Sequence, residues 1–343
     1  MRILLIGGTG TISMAITKKL FQEKKHEIYL LNRGNRIKEL PEGIISIICD
    51  IEREEAVKQA LFGIHFDVVV DFIAFTPNQL ERDYRLFYGK TDQFIFISSA
   101  SAYQKPPKDF QITEDTPLDN PYWEYSRNKI VCEEFLMKKY HEEGFPVTIV
   151  RPSHTYDERR IPLGVHGKNG SYSVIHRMLC EKPVIIHGDG TSLWVMTHSS
   201  DFAEAFVGLL GNTKAIGEAV QITGDEVLTW NQIYQIIADV LGVPLHPYYV
   251  ASEFLDRCGF YDFKGSLLGD KSNSVLFENT KLKRLVPEFK QKIYFKNGIQ
   301  NAVQYILTHP EYQIKDPKFD FWCDEVIRQL DRTAESILKA TAK

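Results

Sequence analysis

The sequence predicts an α/β fold in which a doubly wound parallel sheet precedes a smaller carboxyl-terminal lobe. Short apolar runs alternate with helix-forming segments over the first 151 residues. A glycine cluster, Gly7-Gly8-Thr9-Gly10, directly follows the first of these runs. The chain has 343 residues, a length at which one core usually gives way to two domains. These three observations predict two lobes, with the parallel sheet in the first.

Six apolar runs have the composition of strands that are buried on both faces of a parallel sheet. They occupy residues 2–7, 26–31, 44–49, 66–71, 93–98 and 146–151. Helix-forming segments separate most of them, among them residues 12–23 and 123–140. Strands that alternate with helices form right-handed βαβ units, so the six runs are expected to lie in one open sheet.

The alternation of strands and helices breaks down after Arg151. A loop rich in helix breakers follows, marked by Pro162, Gly164, Gly167 and Gly170. We therefore predict a first domain over residues 1–165. Residues 166–343 are expected to form mainly a substrate-binding lobe with carboxyl-terminal helices.

Later segments are expected to divide between the two lobes. A helix at residues 199–210 and a strand at residues 219–222 would return to the first domain, within residues 195–225. Amphipathic patterns predict two helices of the second lobe, at residues 229–241 and 320–343.

Charge and cysteine content exclude several kinds of partner and site. The net charge is −4 and no block of like charges occurs, so we expect no nucleic acid and no membrane surface as a partner. The five cysteines are scattered and the histidines show no ligand spacing, so neither disulfides nor a metal site is expected. The amino-terminal apolar run is too short for a leader peptide or a membrane span, which favours a cytoplasmic location.

The glycine cluster predicts a phosphate site. It lies between the first strand and a helix, so backbone N–H groups and the positive helix end would meet the pyrophosphate of a dinucleotide. The residues concerned are Gly7, Gly10, Thr11 and Ile12. This order of strand, glycines and helix is typical of a Rossmann cofactor domain, although a plain strand-to-helix connection is the alternative. Ser13 occupies the place of the usual third glycine.

The second strand is followed by Asn32 and Arg33, where a Rossmann domain places the residue that binds the adenosine ribose. Asn32 replaces the usual carboxylate, and Arg33 offers a guanidinium to a 2′-phosphate. The expected cofactor is NAD or NADP, with NADP favoured. An amide also bonds a bare 2′-hydroxyl, and Arg33 has the alternative interpretation of an exposed turn residue.

Four further residues at strand ends are candidates for the adenosine pocket. Asp50 and Ile51 follow the third strand and would cover the adenine. Phe72 and Ala74 follow the fourth strand and would line the pocket. All four have the alternative interpretation of ordinary strand ends.

Tyr125 and Lys129 form a candidate proton-transfer pair. They lie four residues apart in a predicted helix, so both face the same side. A cation beside a phenol favours the phenolate and lowers its pKa from about 10. Ser99 follows the fifth strand, at the edge where open sheets bind ligands, and its hydroxyl would hold a substrate oxygen. The alternatives are a turn serine and a tyrosine on a helix surface.

These motifs resemble those of the extended short-chain dehydrogenase/reductase superfamily, in particular its NAD-dependent epimerase/dehydratase family. The similarity spans most of the chain. It rests on a glycine motif, a serine motif, the tyrosine–lysine pair, the segment after the sixth strand and a later loop with its helix, at residues 7–13, 98–103, 125–129, 151–156 and 188–201. These motifs are specific for the fold and much less specific for a substrate.

The resemblance implies hydride transfer between a substrate carbon and a nicotinamide. Tyr125 would take the hydroxyl proton, Lys129 would hold the nicotinamide ribose, and Ser99 would orient the reacting oxygen. The resemblance also places Pro152 among the residues that bind the cofactor.

Departures from the family pattern restrict the reaction. Sugar dehydratases of the family carry an Asp-Glu pair where this chain has Ala100 and Ser101, so elimination of water is disfavoured. Epimerisation through a transient ketone and simple alcohol/ketone oxidoreduction stay open. Trp194 stands where nucleotide-sugar members have a diphosphate-binding arginine, which weakens that substrate class. An indole suits a sugar ring or an aromatic group.

The predicted substrate contacts are Ser99, Ser101, His154, Tyr156 and Trp194. For the histidine and the two aromatic residues, the alternative is a structural or packing role.

We therefore expect an NAD(P)-dependent epimerase or oxidoreductase that acts on a hydroxyl-bearing carbon of a sugar or nucleotide sugar. Two alternatives stay open: a non-catalytic or RNA-binding member of the same fold, and a reductase of a non-sugar ketone. The expected partner is a small sugar-like molecule. By resemblance, the chain is also expected to pair as a homodimer through the helix that carries Tyr125.

Overall fold

The computed structural model describes residues 1–34, 40–259 and 261–342. These residues group into two compact units, each assembled from three segments of the chain. The first unit comprises Met1–Tyr156, Val195–Val227 and Val275–Tyr294. The second comprises Asp157–Trp194, Leu228–Ser274 and Phe295–Lys343. Lys343, the last residue of the helix predicted at 320–343, lies outside the described residues.

The strands are short. In chain order they are β1 (Arg2–Ile6), β2 (Glu27–Asn32), β3 (Ile45–Ile48), β4 (Val68–Asp71), β5 (Phe94–Ile97), β6 (Gln111–Ile112), β7 (Val147–Pro152), β8 (His154–Tyr156), β9 (Val184–His187), β10 (Leu193–His198), β11 (Ala219–Ile222), β12 (Val227–Thr229), β13 (Pro247–Val250) and β14 (Leu276–Phe277).

Eleven α-helices occur in the described residues. They are α1 (Thr11–Glu23), α2 (Glu54–Ala60), α3 (Pro77–Phe87), α4 (Glu124–Glu143), α5 (Tyr172–Leu179), α6 (Ser199–Val207), α7 (Trp230–Leu241), α8 (Ser252–Cys258), α9 (Thr280–Leu285), α10 (Phe295–Thr308) and α11 (Pro317–Thr341). A π-helix spans Lys264–Lys271. No described helix is both long and apolar enough to cross a lipid bilayer.

Seven parallel strands form the central sheet of the first unit, in the order β11-β7-β5-β4-β1-β2-β3. The chain moves outward from β1 in both directions, which is the doubly wound arrangement. All six predicted runs and the returning strand β11 lie in this sheet. The predicted α/β Rossmann fold class is therefore confirmed.

Alternate residues of β1 enter two separate hydrophobic clusters. Ile3 and Leu5 pack with residues of α1, α6 and α9. Leu4 and Ile6 pack with residues of α2, α3 and α4. Because helices cover both faces of the sheet, its strands are continuous apolar runs rather than alternating ones.

The predicted ends of two helices need correction. The helix that carries Tyr125 continues to Glu143, past the predicted end at residue 140. Gly144 ends it in the left-handed region, at φ 70°, and its N–H donates to the Tyr140 carbonyl. The returning helix α6 is shorter than predicted and ends at Val207.

The second unit contains α5, α7, α8, α10 and α11, together with a parallel pair of strands, β9 and β13. The predicted boundary follows residue 165, whereas the first segment of the first unit ends at Tyr156. The sequence gives no sign of the third segment of that unit, Val275–Tyr294. The division into separate cofactor and substrate domains stays a prediction.

Candidate active site

The glycine loop packs tightly against the loop that follows β4. Gly7 has φ +84°, and a Cβ on it would lie 2.3 Å from Cγ2 of Ile73, so only glycine fits here. The hydroxyl of Ser13 accepts the N–H of Gly10 at 2.7 Å and donates to the Gly7 carbonyl at 3.0 Å. Ser13 thus braces the loop from within, a role that its place in the motif does not reveal.

The first turn of α1 follows directly. Gly10 is the residue before the helix, and Thr11 and Ile12 begin it. The N–H of Met14 makes the first bond within the helix, to the Gly10 carbonyl at 2.9 Å. The N–H groups at a helix start point along its axis, where an anionic phosphate binds favourably. The predicted pyrophosphate contacts therefore have the geometry they require.

Asn32 ends β2 and offers a hydrogen-bond donor. Its Oδ1 accepts the N–H of Gly34 at 2.7 Å, whereas its Nδ2 is buried without a hydrogen-bond partner in the described ranges. A buried donor without a partner is costly, and a ligand oxygen would remove that cost. The ribose of a dinucleotide supplies such an oxygen, so this residue suits the predicted cofactor. The neighbouring Arg33 is exposed.

The other predicted adenosine contacts lie at two strand ends. Ile51 and Ala74 are buried, and Asp50 and Phe72 are half-buried. The Asp50 carboxylate accepts the N–H of Glu52 at 3.1 Å, as in an ordinary turn. The loop that holds Phe72 and Ala74 packs against the glycine loop through Ile73. Contact of all four with adenosine stays a prediction.

Asp71 shapes the loop after β4. Its Oδ1 accepts the N–H of Ile73 at 2.7 Å and the N–H of Ala74 at 3.0 Å. The turn presents the Ala74 carbonyl to Lys129, whose Nζ donates to it at 2.8 Å. One short loop therefore joins the glycine loop to the helix of the proton-transfer pair. Asp71 is not among the predicted site residues, although its place at the end of a buried strand was a signal for it.

Lys129 is buried and oriented by two backbone carbonyls. Its Nζ donates to Ala74 at 2.8 Å and to Ile97, at the end of β5, at 2.7 Å. The same nitrogen lies 5.8 Å from the centroid of the Tyr125 ring. Burial lowers the pKa of Lys129 to about 8, and the charge of Asp71 is the largest influence in the opposite direction. The structure thus brings the predicted pair together.

Tyr125 is half-buried between two aromatic rings. The ring centroids of Tyr125 and Phe75 are 6.3 Å apart, and those of Tyr125 and Trp123 are 5.1 Å apart. Both neighbours add apolar ring area beside the phenol. Neither is among the predicted site residues, although Phe75 belongs to the loop that follows β4.

A chain of hydroxyl groups connects the serine loop, residues 98–103, to α4. The Oγ atoms of Ser99 and Ser101 are 2.9 Å apart, and Ser126 donates to the Ser101 hydroxyl at 2.7 Å. Ser126 is the neighbour of Tyr125 on α4. Asn120 also donates to the Ser101 carbonyl, at 2.7 Å. Ser99 is therefore linked by hydrogen bonds to the helix that carries Tyr125. Contact of Ser99 or Tyr125 with a substrate stays a prediction.

Glu133 lies four residues after Lys129 and joins three elements. Its carboxylate binds Arg151 of β7, with Nε at 3.1 Å and Nη2 at 2.6 Å, and accepts the hydroxyl proton of Ser98. Burial opposes the charge of Arg151, but the facing Glu133 holds the pKa of its guanidinium above the ordinary value. The helix spacing of Tyr125, Lys129 and Glu133 was the signal that could have revealed this clamp.

The segment after β7 carries three predicted site residues. Pro152 is the last residue of β7 and pairs with Ile222 of β11. His154 and Tyr156 lie in β8, which pairs with β10. Tyr156 is buried, and its ring meets the ring of His198 edge-on at 5.3 Å between centroids. Their roles toward cofactor and substrate stay predictions.

Trp194 is assigned to the second unit. Its side chain is buried, and its indole packs on Trp230 at 5.6 Å between centroids. The structure does not bring Trp194 together with Tyr125 in one unit, so its contact with a substrate stays a prediction. Over the described ranges, no group of three or more His, Cys, Asp or Glu side chains is arranged to hold a metal ion.

Comparison with known proteins gives a family match. The sequence model described as "NAD dependent epimerase/dehydratase family" matches residues 3–223, more than half of the chain. This confirms the resemblance inferred from the motifs.

Two curated relatives illustrate the range of the family. One is 2′-dehydrokanamycin reductase of Streptomyces kanamyceticus, 24% identical over 74% of this chain and 70% of that protein. The other is an uncharacterised UDP-glucose epimerase of Bacillus subtilis, 24% identical over 89% of this chain and 98% of that protein.

Among solved structures, UDP-glucuronic acid 4-epimerase from Bacillus cereus in complex with NAD superposes with a TM-score of 0.71. The superposition covers 90% of this chain and 99% of the epimerase chain, with 20% sequence identity. A likeness of this kind shows the fold.

Proposed function

Because the chain belongs to the NAD dependent epimerase/dehydratase family, we propose that it is an NAD(P)-dependent enzyme that moves a hydride at a hydroxyl-bearing carbon of a sugar or nucleotide sugar. Within this class the proposal is epimerisation or oxidoreduction rather than loss of water. One relative named above is a reductase of 2′-dehydrokanamycin and the other an uncharacterised UDP-glucose epimerase, which supports a sugar-like substrate.

The setting of Lys129 next to Tyr125 is the observation that carries the proposal. An ammonium has three protons, and two of them are directed to the carbonyls of Ala74 and Ile97. The third can serve a ribose hydroxyl or the phenol. The loop after β4 and the end of β5 thus fix the direction of one charge beside one tyrosine, an arrangement that supports proton transfer more than packing.

Tyr125 is the proposed acid/base. Because the pKa of Lys129 lies near 8, the ammonium predominates at neutral pH and favours the phenolate beside it. Tyr125 then removes the proton of the substrate hydroxyl as the hydride leaves the same carbon. When a hydride is returned to the carbon of the ketone, Tyr125 would give the proton back to the oxygen, so that an alcohol forms again. Ser99 is proposed to hold the oxygen at which the proton moves.

NAD or NADP supplies the hydride acceptor and donor in this scheme. The start of α1 with Gly7 and Gly10 would hold the pyrophosphate, and Nδ2 of Asn32 would bond the adenosine ribose. An amide donor does not repel a 2′-phosphate as a carboxylate would, and this favours NADP. The solved epimerase cited above contains NAD, so the test must offer both nucleotides.

The serine loop supports a reaction without elimination. Loss of water needs an acid and a base beside the leaving hydroxyl. Ala100 has no ionisable group, and the hydroxyl of Ser101 already bonds Ser99 and Ser126. The residues at these two places therefore favour a simple exchange of hydride and proton.

A ketone reductase is the second candidate, and the similarity to 2′-dehydrokanamycin reductase favours it. The two candidates differ in the fate of the cofactor. An epimerase restores its nucleotide in every turnover and can keep it bound, whereas a reductase must release the oxidised nucleotide and take up a reduced one.

Nucleotide retained by the purified protein distinguishes the candidates. We expect mass spectrometry after denaturation to find NAD if the enzyme is an epimerase. An empty protein that binds NADPH in titration indicates the reductase. Asn32→Asp is the matched variant, since the added carboxylate should lower the affinity for NADP more than that for NAD. A protein that binds neither nucleotide at saturating concentration refutes both.

A further inference from the structure

Asp83 and Asp71 meet in the interior of the first unit. Asp83 lies on α3 and Asp71 ends β4, and both are wholly buried. The charge of Asp71 and a hydrogen bond to it are among the influences that raise the pKa of Asp83, so the two carboxyl groups lie close together. Oδ2 of each has no N–H or O–H partner among the described side chains and backbone. Two ionised carboxylates in such a contact repel strongly at low dielectric, so the contact requires a proton between them.

The other oxygens indicate which residue carries the proton. Oδ1 of Asp71 accepts two backbone N–H groups, at 2.7 and 3.0 Å, as a carboxylate does. Oδ1 of Asp83 accepts Nε of Arg82 at 2.8 Å. Asp71 also faces the ammonium of Lys129. Arg82 forms an ion pair with Asp83 but divides its charge with the carboxylate of Glu52. Asp71 has two backbone donors and the charge of Lys129, so the negative charge is better placed on Asp71 and the proton on Asp83.

The surrounding charges agree with this assignment. Burial and the charge of Asp71 raise the pKa of Asp83 well above its usual value, against the influence of Arg82. Arg82 is shared with Glu52 through Nη1 at 2.5 Å. The charge of Asp71 also raises the pKa of both Lys129 and Cys132 on α4, against the effect of burial on Lys129.

We propose that Asp83 is a positioning residue, a neutral carboxylic acid that donates its proton to Asp71 and so fixes the Ile73–Ala74 turn that orients Lys129. Asp71 uses its two oxygens for different tasks, one for the turn and one for Asp83. Loss of the Asp83 donor would leave Asp71 free to rotate away from the turn. The use of Lys129 in catalysis rests on the proposed function, but the carboxyl pair itself does not.

The proposal has a consequence for charge. A neutral Asp83 leaves one negative charge near Lys129, where two ionised aspartates would leave two. The second charge would stabilise the ammonium further. Asp83→Asn should therefore leave the titration of Lys129 in place, since it replaces a neutral acid by a neutral amide that can still donate to Asp71. Asp71→Asn removes a real charge and should shift that titration to lower pH.

Infrared spectroscopy tests the proton directly. The wild-type protein at neutral pH should show the carbonyl stretch of a protonated carboxylic acid. Asp83→Asn should abolish that band, and Asp115→Asn, at an exposed aspartate, should leave it. A wild-type spectrum without the band, or a band that survives in Asp83→Asn, overturns the proposal.

NMR titration of the lysine side chains tests the effect on Lys129, with Lys129→Met to assign its signal. We expect the same midpoint in wild type and Asp83→Asn, and a lower midpoint in Asp71→Asn. A lower midpoint in Asp83→Asn would show that Asp83 is ionised and would refute the proposal. Neither measurement requires a cofactor, so both remain decisive if the proposed function is wrong.

Nucleotide affinity tests the positioning role. Asp83→Ala, which lacks the donor, should bind NAD(P) at least about tenfold more weakly than Asp83→Asn, which keeps it. Equal affinities of the two folded variants contradict positioning through this hydrogen bond. If Asp83→Ala fails to fold, the infrared and NMR results on Asp83→Asn still decide whether Asp83 carries the proton.

Discussion

Both carboxylate oxygens of Glu133 accept hydrogen bonds from the guanidinium of Arg151, and both side chains are almost fully buried. The pair connects the helix of Tyr125 to the strand β7, and through Ser98 to the end of β5. One ion pair thus joins the helix of Tyr125, the strand of Pro152 and the end of the strand that precedes Ser99. Its removal should affect both stability and the site.

Glu133→Gln should destabilise the protein by about 3–5 kcal/mol, because it leaves the buried Arg151 without a countercharge. Urea unfolding measures the change. The matched control is Glu55→Gln, which breaks an exposed pair with Lys58 and should cost little. If both variants lose the same free energy of unfolding, burial does not make the Glu133–Arg151 pair more important for stability than an exposed pair.

Tyr125→Phe should lower turnover by about 10²- to 10⁴-fold, since it removes the proposed acid/base and little else. Nucleotide affinity and thermal stability should change little, because the ring contacts remain. Tyr294→Phe, at a tyrosine that is 56% exposed, is the control. Normal turnover in Tyr125→Phe would show that the proton takes another path.

The pKa of Lys129 near 8 predicts a pH dependence of stability. In the unfolded chain the pKa of Lys129 is higher. Below pH 8 the lysine is therefore charged in both states, and the cost of burying the ammonium lowers the free energy of unfolding by its full amount. As the pH rises toward the unfolded value, both states lose the proton and the penalty vanishes. Between pH 8 and about 10.4, the free energy of unfolding of the wild type should therefore rise by about 3 kcal/mol relative to that of Lys129→Met.

Urea unfolding of both proteins across that pH range is the measurement. The comparison with Lys129→Met cancels the contributions of other groups that titrate in the same window. A difference that stays constant with pH would show that the pKa of Lys129 is not lowered on folding.

Gly7→Ala should cost more than Gly63→Ala, although both glycines have positive φ. Each alanine is strained in the left-handed region by about 1–2 kcal/mol. A Cβ at Gly63 meets nothing within 4 Å, whereas one at Gly7 meets Ile73 at 2.3 Å. The clash should add about 1–3 kcal/mol, and Ile73→Ala should recover part of it. If the stability losses of Gly7→Ala and Ile73→Ala simply add up in the double variant, the clash between the two side chains is excluded.

The sheet could be predicted because its strands are buried on both faces. Runs such as Val68–Asp71 contain almost only apolar side chains, and a run of that kind identifies itself without knowledge of its neighbours. The segment Val275–Tyr294 could not be assigned in the same way. Its strand has two residues and its helix six, too few for a period to be evident.

The site was predictable where a role depends on spacing along one element. Tyr125 and Lys129 share a helix face, so their approach follows from the sequence. Asp71 and Asp83 belong to different elements, and their contact depends on how α3 lies on the sheet. Ser13 was visible only as a departure from a motif, because its bonds reach backward to the carbonyl of Gly7.

The assembly of the first unit from three segments constrains the order of events during synthesis. When Tyr156 leaves the ribosome, β7 has no outer neighbour, and its wholly buried residues form an open edge. Such an edge can pair with another nascent chain until β11 arrives more than sixty residues later. The emerging polypeptide therefore passes through a stage in which an apolar, unpaired strand is open to aggregation.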